Sequence, residues 1–117
     1  MPSPQESLHP AQLQELRELL DEDFVPLLET YLRDCTLRLG ELRSACSSGD
    51  NQAGYEAIHA LKGASANIGA VRLAELCLKL QNACRAGHLA DNQVLVDLIA
   101  DEQTRVSHQL RQIIANA

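Results

Sequence analysis

Apolar residues recur at three- and four-residue steps along nearly the whole chain, which predicts helix after helix. Leu13, Leu16, Leu19 and Leu20 form a short stripe over residues 10–20, and Pro10 suits a first helical position. Phe24, Leu28, Tyr31, Cys35, Leu39, Leu42 and Cys46 share one face of a longer second helix. Asp23 is placed to cap it, and Pro26 is tolerated in its first turn. Ser48-Gly49-Asp50 stops that helix and starts the next. A third helix is predicted over 51–67, with Ile58, Leu61, Ser65 and Ile68 on its buried stripe and Gly69 as a left-handed stop. The fourth covers 70–86, with Leu73, Leu76, Cys77, Leu80, Ala83 and Cys84 inward and Gly87 ending it. Asp91 is placed to cap a fifth over 92–115, in which Leu95, Leu98, Ile99, Val106, Leu110 and Ile113 keep the period. No segment alternates as a strand does.

Short connections make neighbouring helices antiparallel. The expected fold is therefore all-α: an up-down antiparallel four-helix bundle of helices two to five. The short N-terminal helix is expected to pack as a lid over one end. Residues 1–7 carry no periodic pattern and are expected to be a flexible N-terminus, leaving 8–117 as one domain. A chain of 117 residues with 45% hydrophobic content suits a single domain with a sizeable core. With Met1 at its start and a full bundle, a stand-alone module is expected, the alternative being a domain excised from a longer protein.

Composition narrows the function. Aromatics are 3% of the chain, so no stacking platform for single-stranded nucleic acid is expected. A net charge of −6 disfavours binding to a phosphate backbone. No apolar run approaches the ~20 residues that span a bilayer. The N-terminus has no basic start and no apolar core, so it reads neither as a signal peptide nor as a transit segment. A cytoplasmic protein without membrane or nucleic-acid partners is expected. Cys35, Cys46, Cys77 and Cys84 lack C-x-x-C or zinc-like spacing and fall among leucines, as reduced, buried thiols would.

One histidine stands out. His59 falls on the stripe opposite Ile58, Leu61, Ser65 and Ile68, beside Lys62 and Gly63. A glycine inside a helix costs ~1 kcal/mol relative to alanine. A helical side chain leans back over the preceding turn, so a side chain at position 63 would cover the His59 ring. Glycine leaves that approach open for something large. A neutral imidazole nitrogen is a good nucleophile toward an activated phosphoryl group. Such chemistry needs one exposed nitrogen, an acceptor holding the other, and a nearby cation. Lys62 lies one turn on, Gln81 on the next helix can accept from the ring, and Arg85 can add a second positive group. Between residues 56 and 85, Lys62, Arg72, Lys79 and Arg85 outnumber Glu56 and Glu75, against the acidic balance of the whole chain. Glu56 and His59 share a Glu-x-x-His spacing once, on the outer face, so no metal site is expected. His9, His88 and His108 have no partner cluster and are expected in solvent.

The run His59-Ala60-Leu61-Lys62-Gly63-Ala64-Ser65-Ala66-Asn67-Ile68-Gly69-Ala70 resembles the signature of histidine-containing phosphotransfer (HPt) domains. The likeness extends to Gln81, where the family commonly places the residue that bonds the ring, and to Arg85, at a position that is often basic. It implies a phosphocarrier of a multistep two-component relay, with no nucleotide site and no autokinase activity. His59 would take a phosphoryl group, on the ring nitrogen distal to the backbone, from a receiver-domain aspartate and pass it to another receiver. Partners would be response-regulator receiver domains, including that of a hybrid sensor kinase. The protein would need no cofactor of its own, Mg²⁺ coming with the receiver, and would act as a monomer. An apolar surface beside His59, with Ala66, Ala70, Leu73 and Leu37 as candidates, would dock the receiver's helix. Two rivals use the same surface: a helical adaptor that docks a signalling partner without phosphorylation, and the phosphorylatable domain of a chemotaxis-type kinase. The second needs an ATP-binding domain that this sequence lacks.

Overall fold

The computed structural model describes residues 7–117. It is built of five α-helices, with no strand among the described residues: α1 Pro10–Leu20, α2 Phe24–Ser48, α3 Asn51–Asn67, α4 Val71–Arg85 and α5 Gln93–Ala115. Short 3₁₀ turns, Asp21–Asp23 and Leu89–Asn92, lead into α2 and α5. None of the helices is long and apolar enough to cross a membrane.

The helices α2 to α5 pack in a ring, each against the next and α5 back on α2, which closes the up-down bundle. Leu28, Leu42, Ile58, Leu73, Leu80 and Ile99 meet at its centre with no exposed surface. Burying each such side chain contributes roughly 1.5–3 kcal/mol. The most intimate pair is α3 with α4. Small residues permit that approach. At Gly54, a Cβ would collide with the buried Leu89 side chain, which would have to shift; glycine lets this turn of α3 lie against the connection that follows α4 as it stands.

The turn between α3 and α4 depends on Gly69, whose φ of 81° lies in the left-handed region. There α1 performs its task as a lid. The His9 N–H donates to the Gly69 carbonyl at 2.8 Å. The Gln12 amide donates to the carbonyls of Ala66 at 2.7 Å and Asn67 at 3.2 Å. These are the last carbonyls of α3, which have no partner within their own helix. His9 was expected simply in solvent. It is exposed, yet its Nδ1 also caps α1 by accepting from the Gln12 N–H at 3.2 Å.

Several expectations need correction. Asp50 caps α3 through the Ala53 N–H, but Asp23 makes no side-chain cap, because the 3₁₀ turn before α2 already carries it in helical geometry. Asp91 lies within the second 3₁₀ turn, and Asn92 precedes α5 instead. Leu19 and Leu98 are exposed, at 79% and 47%, and Val96 takes the buried place on α5 that Leu98 was expected to hold. Ser7 is buried; the rest of the segment expected to be flexible lies outside the described residues. All four cysteines are free and buried.

Candidate functional site

The third helix presents His59 on its outer face. Ile58, Leu61 and Ser65 turn toward the core, so the register of the apolar stripe puts the imidazole in solvent. The stripe is anchored from behind by a buried hydrogen bond, 2.7 Å between the Tyr31 and Ser65 hydroxyls.

Across the α3–α4 interface, Gln81 is 4% exposed, and its side-chain oxygen lies 3.0 Å from His59 Nδ1. An amide oxygen can only accept, so Nδ1 must carry the hydrogen. In the neutral ring that tautomer leaves the lone pair on Nε2, the nitrogen farther from the backbone. One turn back along α3, Tyr55 lies almost parallel to the imidazole, at 10° between planes and 5.7 Å between ring centroids. One turn on from Gln81, Arg85 donates to the Tyr55 hydroxyl at 2.9 Å. Lys62 and Gly63 occupy the turn after His59, Lys62 half-buried and Gly63 exposed. A Cβ built at Gly63 meets nothing within 4 Å, so the approach over the ring is open.

Beside this turn runs an apolar groove of about 310 Å³, lined by Lys62, Gly63, Ala66, Val71, Ala74, Glu75 and Leu78. Of the expected docking residues, Ala66 lines it. Ala70 and Leu73 do not, because both have no exposed surface: Ala70 closes the tight turn and Leu73 begins the inward stripe of α4. The outward stripe of α4 is Val71, Ala74 and Leu78 instead. Leu37 is 58% exposed on α2 and lies outside the groove lining.

The structure thus sets Gln81 against the His59 ring, with Lys62 and Gly63 on the turn that follows it. Arg85 reaches the site only by way of Tyr55. Tyr55 itself was not singled out, although an aromatic ring four residues before a histidine on one helix face is a legible signal. Lys62 stands one turn from the ring and suits the oxygens of an anion held there. An exposed imidazole nitrogen with a free lone pair, on a neutral ring one turn from Lys62, can attack an electrophilic phosphorus.

Comparison with known proteins agrees. The sequence matches the Hpt domain family over residues 26–116. It is similar to the structure of histidine-containing phosphotransfer protein B (HptB) from Pseudomonas aeruginosa PAO1, with 31% identity, a TM-score of 0.92, and coverage of 97% of this chain and 98% of that one. It shares its fold with the HPT domain of a sensor hybrid histidine kinase from Shewanella, at 19% identity, a TM-score of 0.82 and coverage of 95% and 96%. The same holds for the phosphotransfer protein ZmHP2 from maize, at 17% identity, a TM-score of 0.82 and coverage of 91% and 88%. Curated protein sequences gave no match. With most of its length matched to the family model and to a phosphotransfer protein, the chain belongs to the Hpt family, histidine-containing phosphotransfer proteins that carry phosphoryl groups and are not kinases.

Proposed function

We propose that His59 is the phosphoacceptor of a multistep two-component relay, charged by the aspartyl phosphate of one receiver domain and discharged to another, in a monomeric cytoplasmic protein. The observation that carries this reading is the 3.0 Å contact from His59 Nδ1 to Gln81, which leaves Nε2 bare on an exposed ring. In the transfer, the phosphorus–oxygen bond of the acyl phosphate breaks and a phosphorus–Nε2 bond forms. The aspartate leaves as a carboxylate. No proton has to depart from Nε2. The positive charge that develops is shared over the ring, and the hydrogen bond that Nδ1–H donates to the Gln81 oxygen stabilises it. Lys62, one turn away, offsets the charge of the phosphoryl oxygens. Mg²⁺ in this scheme belongs to the receiver.

The apolar groove supports a docking role. Ala66, Val71, Ala74 and Leu78 offer a receiver helix a surface with a cation, Lys62, and an anion, Glu75, among its lining residues. Docking there brings the incoming aspartyl phosphate over Gly63, where nothing obstructs it.

The test is a screen of purified receiver domains, each charged with acetyl phosphate and Mg²⁺, for transfer to this protein. The reading expects an acid-labile, alkali-stable adduct that is absent from His59→Gln. Labelling that survives in that variant, or no labelling by any receiver, overturns it in favour of a docking adaptor.

A further inference from the structure

We infer that Tyr55 is a positioning residue for His59, and that Arg85 acts on the imidazole through it. The inference rests on His59 being the phosphoacceptor.

The hydrogen bond to Gln81 fixes one point of the imidazole, its Nδ1. A ring held at one point can still tilt, and tilting swings Nε2. Tyr55 supplies the missing restraint, a flat surface almost parallel to the imidazole, with 10° between planes and 5.7 Å between centroids. Together, the point contact and the plane fix the direction of Nε2, which an in-line attack on phosphorus requires.

Tyr55 is in turn held. It is only half-buried, and an open cleft of about 540 Å³ adjoins it, lined also by Asn51, Gln52, Cys84, Arg85 and Gly87. The phenol has room to swing away from His59. Arg85 prevents this. Its guanidinium donates to the Tyr55 hydroxyl at 2.9 Å and sits 5.2 Å from the ring centroid, a hydrogen bond and a cation–π contact on one group. A step of one turn back along α3 and one turn on along α4 converts the His59–Gln81 pair into the Tyr55–Arg85 pair. The fourth helix therefore holds the imidazole twice, once directly and once through the phenol.

The experiment uses the receiver that labels the wild-type protein fastest in the screen above. Transfer is followed over a range of receiver concentrations for the wild type, Tyr55→Leu, Tyr55→Phe and Arg85→Met. Tyr55→Leu removes the plane and should lower the transfer rate at saturating receiver about tenfold, with the half-saturating concentration unchanged. Tyr55→Phe keeps the plane and loses the hydrogen bond from Arg85; it and Arg85→Met should each fall about two- to threefold, so that phenylalanine restores most of what leucine loses. An unchanged saturating rate in a folded Tyr55→Leu protein overturns the inference. So does an effect confined to the half-saturating concentration, which would make Tyr55 a docking residue.

If the wild-type protein takes no label, the phosphoacceptor reading falls, and a second measurement still decides the geometry. In ¹⁵N NMR, the His59 Nδ1–H signal should be protected from exchange with water in the wild type and lose that protection in Tyr55→Leu. Equal protection in both proteins overturns the positioning role.

Discussion

His59 and Gln81 are joined by a hydrogen bond of 3.0 Å between an exposed ring and a buried amide. The amide is held rigid by its burial and sets the tautomer of the ring, because its oxygen can only accept. Gln81→Leu keeps the volume and removes the acceptor. A net hydrogen bond is worth ~1 kcal/mol, so transfer to His59 should slow by about tenfold at most. The bundle should keep its stability to within ~1 kcal/mol, since leucine is at home in an interface. In ¹⁵N NMR, the His59 ring should become a mixture of tautomers. A ring that keeps one tautomer in this variant would show that something other than Gln81 sets it.

Gly63 separates propensity from access. A Cβ there meets no atom within 4 Å, so Gly63→Ala should be accepted. Alanine is the better helix former by ~1 kcal/mol, which should raise the melting temperature by about 4 °C. Gly63→Leu should also fold, but its side chain leans toward the N-terminus and over His59, and transfer should slow about tenfold. Thermal melts beside transfer kinetics for both variants check this. Unchanged kinetics in Gly63→Leu would remove steric clearance as the reason for glycine.

Helix order and the exposure of His59 could be read from the chain because both follow from local spacing. The stripe of Ile58, Leu61, Ser65 and Ile68 leaves position 59 no choice of face. What could not be read depends on tertiary register. Leu98 and Val96 fit the period of α5 about equally well, and only packing against α2 and α4 decides that Val96 is buried. Ala70 and Leu73 carry the apolar character of a docking surface, but the tight turn at Gly69 rolls both inward. Asp23 and Asp91 resemble caps, and the 3₁₀ turns before α2 and α5 left them no free helix end to cap. The lid contacts of Gln12 link groups 54 and 55 residues apart, which no local pattern encodes.

The thiols give a pH dependence. Burial pushes Cys35 up to about 11 and Cys77 up to about 12, with Lys62 drawing Cys77 slightly down. An ordinary thiol titrates near ~8.5. Above that pH the unfolded chain releases protons that the folded chain retains. The thiol contribution to stability is therefore complete below about pH 8.5 and is lost as pH rises toward the folded values. Each group costs at most ~1.4 kcal/mol per pH unit in this window, so the two together give a fall of about 3 kcal/mol per unit. Tyr31, raised above its usual range by burial, steepens the fall further above about pH 10. Urea unfolding between pH 8 and 10.5 reads the slope, and Cys77→Ala should make it shallower, leaving the shares of Cys35 and of Cys84, which burial also raises. The same burial predicts that iodoacetamide at pH 8 leaves Cys35 and Cys77 unmodified in the folded protein. Alkylation of either at the rate of a free thiol would contradict the assignment.

The lid can be loosened without touching the bundle. The Gln12 amide bonds the carbonyls of Ala66 and Asn67, and the His9 N–H bonds that of Gly69. Gln12→Ala removes the first two and leaves the third. Gln12 is only half-buried, so water can replace it at those carbonyls, and the loss should be ~1 kcal/mol. The effect should be local. Amide exchange at His9 and Leu13 should quicken, while Leu61 and Cys77, on the buried stripes of α3 and α4, should exchange as before. Transfer to His59 should not change, since the imidazole is held by α4 and not by α1. If exchange quickened equally at Leu61 and Cys77, the first helix would be part of the cooperative bundle and not a lid upon it.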